Sequence, residues 1–350
     1  MKRTKLLGAA ASIGLLAAVM AYADDPTPTQ PPPKPKPAAK PEAKPEATDD
    51  AKQEPQRTID PKADDLLKKM SRDLAKLESF SVDAEHVTEV VTTDKQKLQV
   101  LASSTVIVHR PDNLRSDRKS ALGAVTLYYD GTNLTVFGRK NHLYATTGAP
   151  NTLDKMIDFA RDELDLDAPA ADLLYSDVYA GLMENVVSGM YVDEAIMGNR
   201  TCKHLAYRGK ETDFEIWIED GKRALPCRFV ITTKDVQGWP QYEVELTNWK
   251  VLPPVSKGEF TFHPHKEDHT INFISVAKAQ KKQGFARRTT RRTTRRTEDA
   301  TGATQPTVVK TLPEGCTKSI GADGAVQYTC GSTRYAPSFD GPNVVYEQVR

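Results

Sequence analysis

The sequence predicts an α+β protein in which helices lie on one face of a curved antiparallel sheet, with a small β module at the C-terminal end. Three observations support this fold class. Leucines recur at helical spacing after residue 60, apolar and polar residues alternate between frequent turns in two separate stretches, and the segment between those stretches is again helical in pattern. The order helix, strands, helices, strands is typical of helices gathered on one face of a sheet.

The first 23 residues have the pattern of a cleavable export signal. Residues 2–5 carry three positive charges, and an apolar run over residues 6–20 follows them. Residues 21–23 read Ala-Tyr-Ala, which supplies the small side chains that a signal peptidase requires. An uncleaved anchor is the alternative, although the apolar run is short for a bilayer-spanning helix. We therefore expect bacterial export to the periplasm with cleavage after Ala23.

Residues 24–58 form a linker in this prediction. They contain ten of the 23 prolines, interspersed with Lys, Ala and Glu. Such a composition offers few apolar side chains to bury and favours extended polyproline II conformations. The segment is interpreted as a solvated tether, with a spacer or cell-wall-contacting arm as the alternative.

Region 59–276 is the stretch that can bury a large core, and it opens with a well-marked helix. Asp60 is placed to cap this helix and Pro61 suits its first turn. The predicted buried face consists of Leu66, Leu67, Met70, Leu74 and Leu77.

Strands are predicted on both sides of a helical middle. After residue 80, segments such as "KLQVLASSTVIVHRP" alternate with period two, and Asp130-Gly131 reads as a hairpin turn. Residues 151–167 and 170–186 have helical spacing, and five more strand-like segments follow up to "EFTFHP". Short turns between alternating strands predict an antiparallel sheet with one face on the core.

The chain changes character after residue 276. Residues 277–305 are a basic linker with a tandem Arg-Arg-Thr-Thr repeat, in which the repeated arginines are Arg287, Arg288, Arg291, Arg292, Arg295 and Arg296. Export excludes a nucleic-acid partner in this interpretation, so the arm either contacts an anionic envelope surface or is a soluble linker. Residues 306–350 are a β module of two or three small strands that needs a covalent staple.

Four cysteines remain after the predicted cleavage, and an even count in an oxidising compartment favours disulfides. Cys316 and Cys330 are the natural staple of the small module. Cys202 and Cys227 are expected to pair as well, although in a simple meander they would lie two strands, about 9.6 Å, apart. That pairing therefore requires a bend or an edge twist of the sheet.

The block from Cys202 to Pro264 resembles the DUF2092 family of predicted periplasmic proteins. The resemblance rests on His-Leu-Ala-Tyr-Arg, Ile-Trp-Ile-Glu-Asp-Gly and Val-Ile-Thr-Thr-Lys within that block, and on "HRPDNLRSD" and "YYDGTNLTVF" upstream. The family is similar in fold to the LolA and LolB lipoprotein carriers. It therefore implies an open barrel, or half-barrel, closed by helices around an apolar cavity for acyl chains, and no established activity.

The resemblance makes a lipid or an acylated lipoprotein the expected ligand, with a filled core as the alternative. The candidate lining residues are Val100, Leu127, Tyr129, Val136, Ile157, Phe214, Ile216, Ile218, Phe229 and Val244. Trp217 points away from its neighbours Ile216 and Ile218, and it is expected to pack in the core, with a place lining the concave side of the sheet as the alternative. The second hypothesis is an envelope scaffold that uses its proline-rich and arginine-rich arms.

Catalysis, cofactors and metals have little support in the sequence. No nucleophile elbow, phosphate loop or zinc-protease motif occurs, so no catalytic residue or cofactor is assigned. The run containing His263, His265, Asp268 and His269 suggests metal binding at first sight, but Pro264 and its position after the last strand favour a solvated turn. A net charge of +1 indicates no particular partner for the chain as a whole.

Overall fold

A computed structural model describes residues 57–92, 94–121, 123–166, 168–274, 308–321, 325–340 and 343–349. The predicted export signal, almost all of the proline-rich linker and the basic linker with its arginine repeat lie outside these residues. No helix within the described ranges is long and apolar enough to cross a membrane.

Three helices and thirteen strands build the main part of the molecule. The helices are α1 (Pro61–Ala75), α2 (Leu153–Leu164) and α3 (Val178–Met183). The strands are β1 (Thr58–Ile59), β2 (Ser79–Val91), β3 (Lys97–His109), β4 (Asn113–Ser120), β5 (Gly123–Tyr129), β6 (Asn133–Gly138), β7 (Leu143–Gly148), β8 (Val186–Met197), β9 (Arg200–Gly209), β10 (Thr212–Glu219), β11 (Pro226–Thr233), β12 (Gln241–Val251) and β13 (His269–Thr270).

The thirteen strands form one open sheet in the order β1-β8-β9-β10-β11-β12-β2-β3-β4-β5-β6-β7-β13. Neighbours pair antiparallel, except that the two-residue strands β1 and β13 pair in parallel at the two edges. The pairing of β12 with β2 joins the two strand-rich stretches of the chain into one sheet. An open antiparallel sheet with helices on one face confirms the predicted α+β class, and a separate C-terminal sheet is present as expected.

Helix α1 forms where the sequence predicts it. The Asp60 carboxylate accepts a hydrogen bond from the backbone N–H of Lys62 at 2.8 Å, and Pro61 occupies the first turn. Leu67, Met70 and Leu74 are fully buried against the sheet. Of the predicted face, Leu66 is the member that stays partly exposed.

The inner face is defined here as the side of the sheet on which the three helices pack. Alternate residues of each strand point to it, and they share one core with the helices; on β10, for instance, Phe214, Ile216 and Ile218 are all buried. The side chain of Tyr207 on β9 donates a hydrogen bond to the carbonyl of Ala63 in α1 at 2.9 Å. The opposite side is the outer face, and residues 257–271 cross part of it.

The second predicted helical segment, residues 170–186, is broken in the structure. A short 3-10 turn at Ala171–Leu174 precedes α3, and residues 175–177 between them are not helical. Ser176 donates from its backbone N–H and its hydroxyl to the Asp154 carboxylate, at 3.0 and 2.6 Å. These bonds to α2 replace helical hydrogen bonds, which explains why periodicity alone overestimated the helix.

Both expected disulfides are present, Cys202–Cys227 and Cys316–Cys330, with Cα atoms 6.7 and 4.2 Å apart. Cys202 and Cys227 lie close enough to bond because the pairing of β10 with β11 is irregular near the end of β10. Trp217 pairs with Arg228 but Ile218 pairs with Pro226, so Cys227 is an extra residue in the ladder. This bulge, close to the end of β10, brings β11 within reach of β9.

The C-terminal module is larger than the two or three strands predicted. Its sheet contains β14 (Asn272–Ile274), β15 (Val308–Val309), β16 (Thr317–Ile320), β17 (Val326–Cys330), β18 (Thr333–Asp340) and β19 (Asn343–Val349). Strand β14 follows β13 directly and pairs in parallel with β18. Phe339 of β18 is fully buried and lies 3.6 Å from where a Cβ of Gly138 would stand, so the module packs on the inner face at β6.

Candidate functional site

The ten residues predicted to line a cavity divide into two groups. Ile157 lies in α2, and the other nine lie on inner-face positions of the sheet strands. Eight are buried within the core: Tyr129, Val136, Ile157, Phe214, Ile216, Ile218, Phe229 and Val244. Val100 and Leu127 are half-buried and lie on β3 and β5. The structure therefore fills the deep part of the inner face and leaves its β3–β5 part partly accessible.

Two open depressions lie on other parts of the described surface. One is bounded mainly by charged side chains of α1 together with Lys203, and the other lies beside Trp239 at the hairpin tips. Neither includes any of the ten predicted residues.

A row of polar side chains crosses the inner face between the apolar ones. The row, called the inner polar row below, consists of Tyr242 on β12, His86 on β2, Ser104 on β3 and Arg118 on β4. His86 contacts the Tyr242 hydroxyl through Nδ1 at 2.6 Å and the Ser104 hydroxyl through Nε2 at 2.7 Å. Ser104 and Arg118 are direct partners in the β3–β4 ladder. Four adjacent strands thus contribute one continuous polar line.

His86 is held in its neutral form. Burial lowers the pKa of His86 to about 4, and the nearby positive charge of Arg118 acts in the same direction. A neutral imidazole carries one N–H and one acceptor nitrogen, so one of the two hydroxyls donates to the ring and the other accepts from it. His86 therefore connects Tyr242 and Ser104 without contributing charge at pH 7.

Arg118 brings a positive charge to the inner face without a counterion. It is half-buried, and it has no ion pair or hydrogen bond with any residue that the structure describes. By contrast, Asp117 on the outer face of the same strand pairs with Arg115 at 2.9 Å and also with Arg139. Strand β4 therefore pairs Arg115 and Asp117 on its outer face, whereas Arg118 on its inner face has no ion-pair partner among the described residues.

A second polar row, called the outer ladder below, lies on the outer face of β8–β12. His204 contacts Glu215 at 2.8 Å and Asp193 at 3.4 Å, and its ring stacks on Trp217 with centroids 4.0 Å apart. Arg228 lies over the same indole at 5.2 Å and pairs with Glu243 at 2.7 Å. The expectation that Trp217 packs in the core is wrong, because alternation along β10 turns it to the outer face.

The histidine-rich segment after β12 is organised around one carboxylate. Asp268 accepts hydrogen bonds from the backbone N–H of His265 at 2.7 Å and contacts His142 Nδ1 at 3.0 Å. Burial acts to raise the pKa of Asp268, but the hydrogen bonds from His265 and His142, together with the electrostatic effect of both histidines, lower it below its usual value. No group of three or more His, Cys, Asp or Glu side chains in the described residues has a metal-site arrangement.

Sequence reasoning missed the inner polar row. The signal was present in the alternation, because His86 has the parity of Ala84 and Val82, which are buried on the inner face. Arg118 likewise has the parity of Leu114, a core residue. A polar residue at a core-facing position is more informative about a site than an apolar one.

This arrangement defines a class of open-sheet proteins in which helices cover an apolar inner face that carries a few polar groups. The chain belongs to the DUF2092 family, described as predicted periplasmic proteins, whose model matches residues 63–274. The family predicted from the 202–264 block and the periplasmic location are thereby confirmed.

Several solved structures are similar to this chain. LprF from Mycobacterium bovis is 12% identical, with coverage of 57% of this chain and 100% of LprF and a TM-score of 0.34. The LolA superfamily protein NE2245 from Nitrosomonas europaea is 12% identical, with coverage of 57% and 97% and a TM-score of 0.30. The matching chain of the Pseudomonas aeruginosa MucA/MucB complex is 12% identical, with coverage of 81% of this chain and 87% of that chain and a TM-score of 0.31. No curated protein matches the chain.

Proposed function

We propose that this periplasmic protein binds an apolar or amphipathic ligand, such as a lipid or the acyl chain of a lipoprotein, on the inner face of its sheet. The observation that carries the proposal is a strip of half-buried apolar side chains next to the core, called the apolar strip below. It consists of Val106 on β3 and Val125 and Leu127 on β5. Apolar surface at the mouth of a filled core is a normal place for an acyl chain.

The position of the strip refines the expected cavity. The eight buried candidate residues form the floor, and a ligand that displaced them would have to open the core at a large cost. A ligand lying on Val106 and Leu127 requires no such change. The proposed binding surface is therefore shallower than the deep cavity expected from the family resemblance.

Native purification followed by lipid extraction and mass spectrometry tests the proposal. Acyl-containing species are expected with the wild-type protein and should fall at least about 10-fold in Leu127→Glu, because a carboxylate in the strip opposes hydrocarbon binding. Leu101→Glu is the matched control, since Leu101 is 64% exposed on the outer face of β3. Circular dichroism establishes that both variants are folded.

Two outcomes would overturn the proposal. If no acyl species accompanies the wild-type protein, and no added fatty acid or fatty alcohol binds it afterwards, the inner face is a filled core without a ligand. Equal loss of ligand in Leu127→Glu and Leu101→Glu would place binding elsewhere on the molecule.

A further inference from the structure

The inner face offers one feature that a purely apolar ligand does not use, the unpaired charge of Arg118. On β4 this residue faces Ser104 of β3 on one side and Val125 of β5 on the other. On strands β2–β5, the described inner-face positions contain no acidic residue. No Arg118 nitrogen is among the fully buried, unpaired polar atoms of the described residues, so its guanidinium is accessible to an anionic group.

The rest of the inner polar row supplies a second hydrogen-bond donor beside Arg118. If Tyr242 donates its hydroxyl proton to Nδ1 of His86, the ring donates from Nε2 to the Ser104 oxygen. The hydroxyl hydrogen of Ser104 is then free, on the residue that is the direct ladder partner of Arg118. A guanidinium and a hydroxyl from adjacent strands form a suitable pair of donors for one anionic group.

Hydrocarbon-binding surface begins next to these donors. Val125 is the ladder partner of Arg118 on β5, and Leu127 is the partner of Ser116 two residues along β4. Beyond Val125, Gly138 of β6 is covered by Phe339 from the C-terminal module. The accessible part of the inner face is thus polar at one side and apolar at the other.

From this juxtaposition we propose that Arg118 and Ser104 bind the anionic head group of a single-chain or double-chain amphiphile whose hydrocarbon lies on the apolar strip. This inference rests on the proposed function and narrows the ligand class from any apolar molecule to an amphiphile with a carboxylate or phosphate. Tyr242 and His86 are positioning residues, since they act on the ligand through Ser104.

The test compares two probes that share a hydrocarbon chain and differ in charge, oleate and oleyl alcohol. Each displaces the uncharged fluorophore N-phenyl-1-naphthylamine from the delipidated full chain. Arg118→Met should weaken oleate binding roughly 10- to 100-fold, the range of a lost charge-assisted hydrogen bond, and should leave oleyl alcohol within about two-fold. Arg118→Lys should restore part of the oleate affinity.

Arg228→Met is the matched control, because it removes an arginine of the same sheet from the outer ladder. It should change neither probe. A third probe, oleoyl lysophosphatidic acid, distinguishes the two sources of anion: stronger Arg118-dependent binding of this probe than of oleate indicates a phosphate head group, and the reverse indicates a carboxylate.

The outcomes separate this inference from the proposed function. If oleate and oleyl alcohol bind the wild-type protein equally and Arg118→Met alters neither, the anion site is wrong while apolar binding stands. If neither probe displaces the fluorophore from the wild-type protein, both proposals fail. Loss of both probes in Arg118→Met together with Arg118→Lys indicates a structural role and also overturns the anion site.

Discussion

The inner polar row and the outer ladder are built from similar residues on opposite faces of one sheet. Each has a histidine and an arginine on strands separated by one other strand, and each has an aromatic side chain in contact with the histidine. On the outer face, His204 and Arg228 both have carboxylate partners. On the inner face, His86 has two hydroxyl partners and Arg118 has no partner in the described part of the chain.

This difference separates charges that serve the fold from a charge that is available to a ligand. Partly exposed ion pairs such as Arg228–Glu243 contribute little free energy each. An unpaired, half-buried arginine contributes no such stability. A group that does not stabilise the folded chain and lies beside apolar surface is a candidate for recognition.

The largest expected difference between the two faces concerns aromatic packing. Phe229→Ala should lower the free energy of unfolding by about 3–5 kcal/mol, because Phe229 is fully buried on the inner face and its removal leaves a cavity. Trp217→Ala on the outer face should cost at least about 1 kcal/mol less, since solvent fills the space that it leaves. Urea denaturation followed by circular dichroism measures both. Equal losses would mean that the outer ladder is as well packed as the core.

The disulfide across β9 and β11 gives the next effect. Replacing Cys202 and Cys227 with serine should cost about 3–4 kcal/mol, because the bond closes a loop with a sequence separation of 25 in the unfolded chain. The matched control replaces Cys316 and Cys330, whose bond staples the small module. Denaturation followed by tryptophan fluorescence reports on the main sheet, because Trp217 and Trp249 lie in its strands and Trp239 in the connection between β11 and β12. A larger shift in the control would show that the module, more than the bulge at Cys227, holds the sheet together.

The inner row should also make stability depend on pH. The pKa of His86 lies near 4 in the folded protein and near 6.5 when unperturbed, so the unfolded chain takes up the proton first as pH falls. The contribution of the neutral ring is present above pH 6.5 and is lost towards pH 4, on the order of 3 kcal/mol.

His86→Gln isolates this effect, because it keeps hydrogen-bonding groups and removes the titration. The difference in unfolding free energy between wild type and variant, measured by urea denaturation from pH 7 to pH 4, should shrink as the pH falls. A difference that stays constant over this range would show that His86 is not buried as a neutral ring.

Local rules predicted much of the fold. Periodicity located α1, its cap at Asp60 and the alternating strands, and it placed Trp217 opposite Ile216 on β10. The same alternation does not predict which side chains contact Trp217, since its stacking on His204 depends on the register between β9 and β10. The link between Cys202 and Cys227 likewise required a bulge, which sequence patterns do not reveal.

The candidate site was predicted in part. The ten apolar candidates occupy inner-face positions or the helix packed on them, but their burial depends on how helices and strands fill the space between them. His86 and Arg118 carried a readable signal, namely polar residues in step with buried ones. What could not be read was the absence of a counterion for Arg118, because ion pairing is decided by neighbours on other strands.

The smallest expected effect is also the most direct test of the comparison between the two rows. In delipidated protein, Arg228→Met should lower the free energy of unfolding by about 0.5–1 kcal/mol, because Glu243 loses its partner and Trp217 loses its cation. Arg118→Met should leave the free energy unchanged or raise it slightly, since methionine retains the aliphatic contacts and removes a charge without a partner.

Added oleate should then stabilise the wild-type protein more than Arg118→Met, as binding to the folded state requires. A loss in Arg118→Met that exceeds the loss in Arg228→Met would mean that the inner arginine stabilises the fold, and the distinction between the two rows would no longer hold.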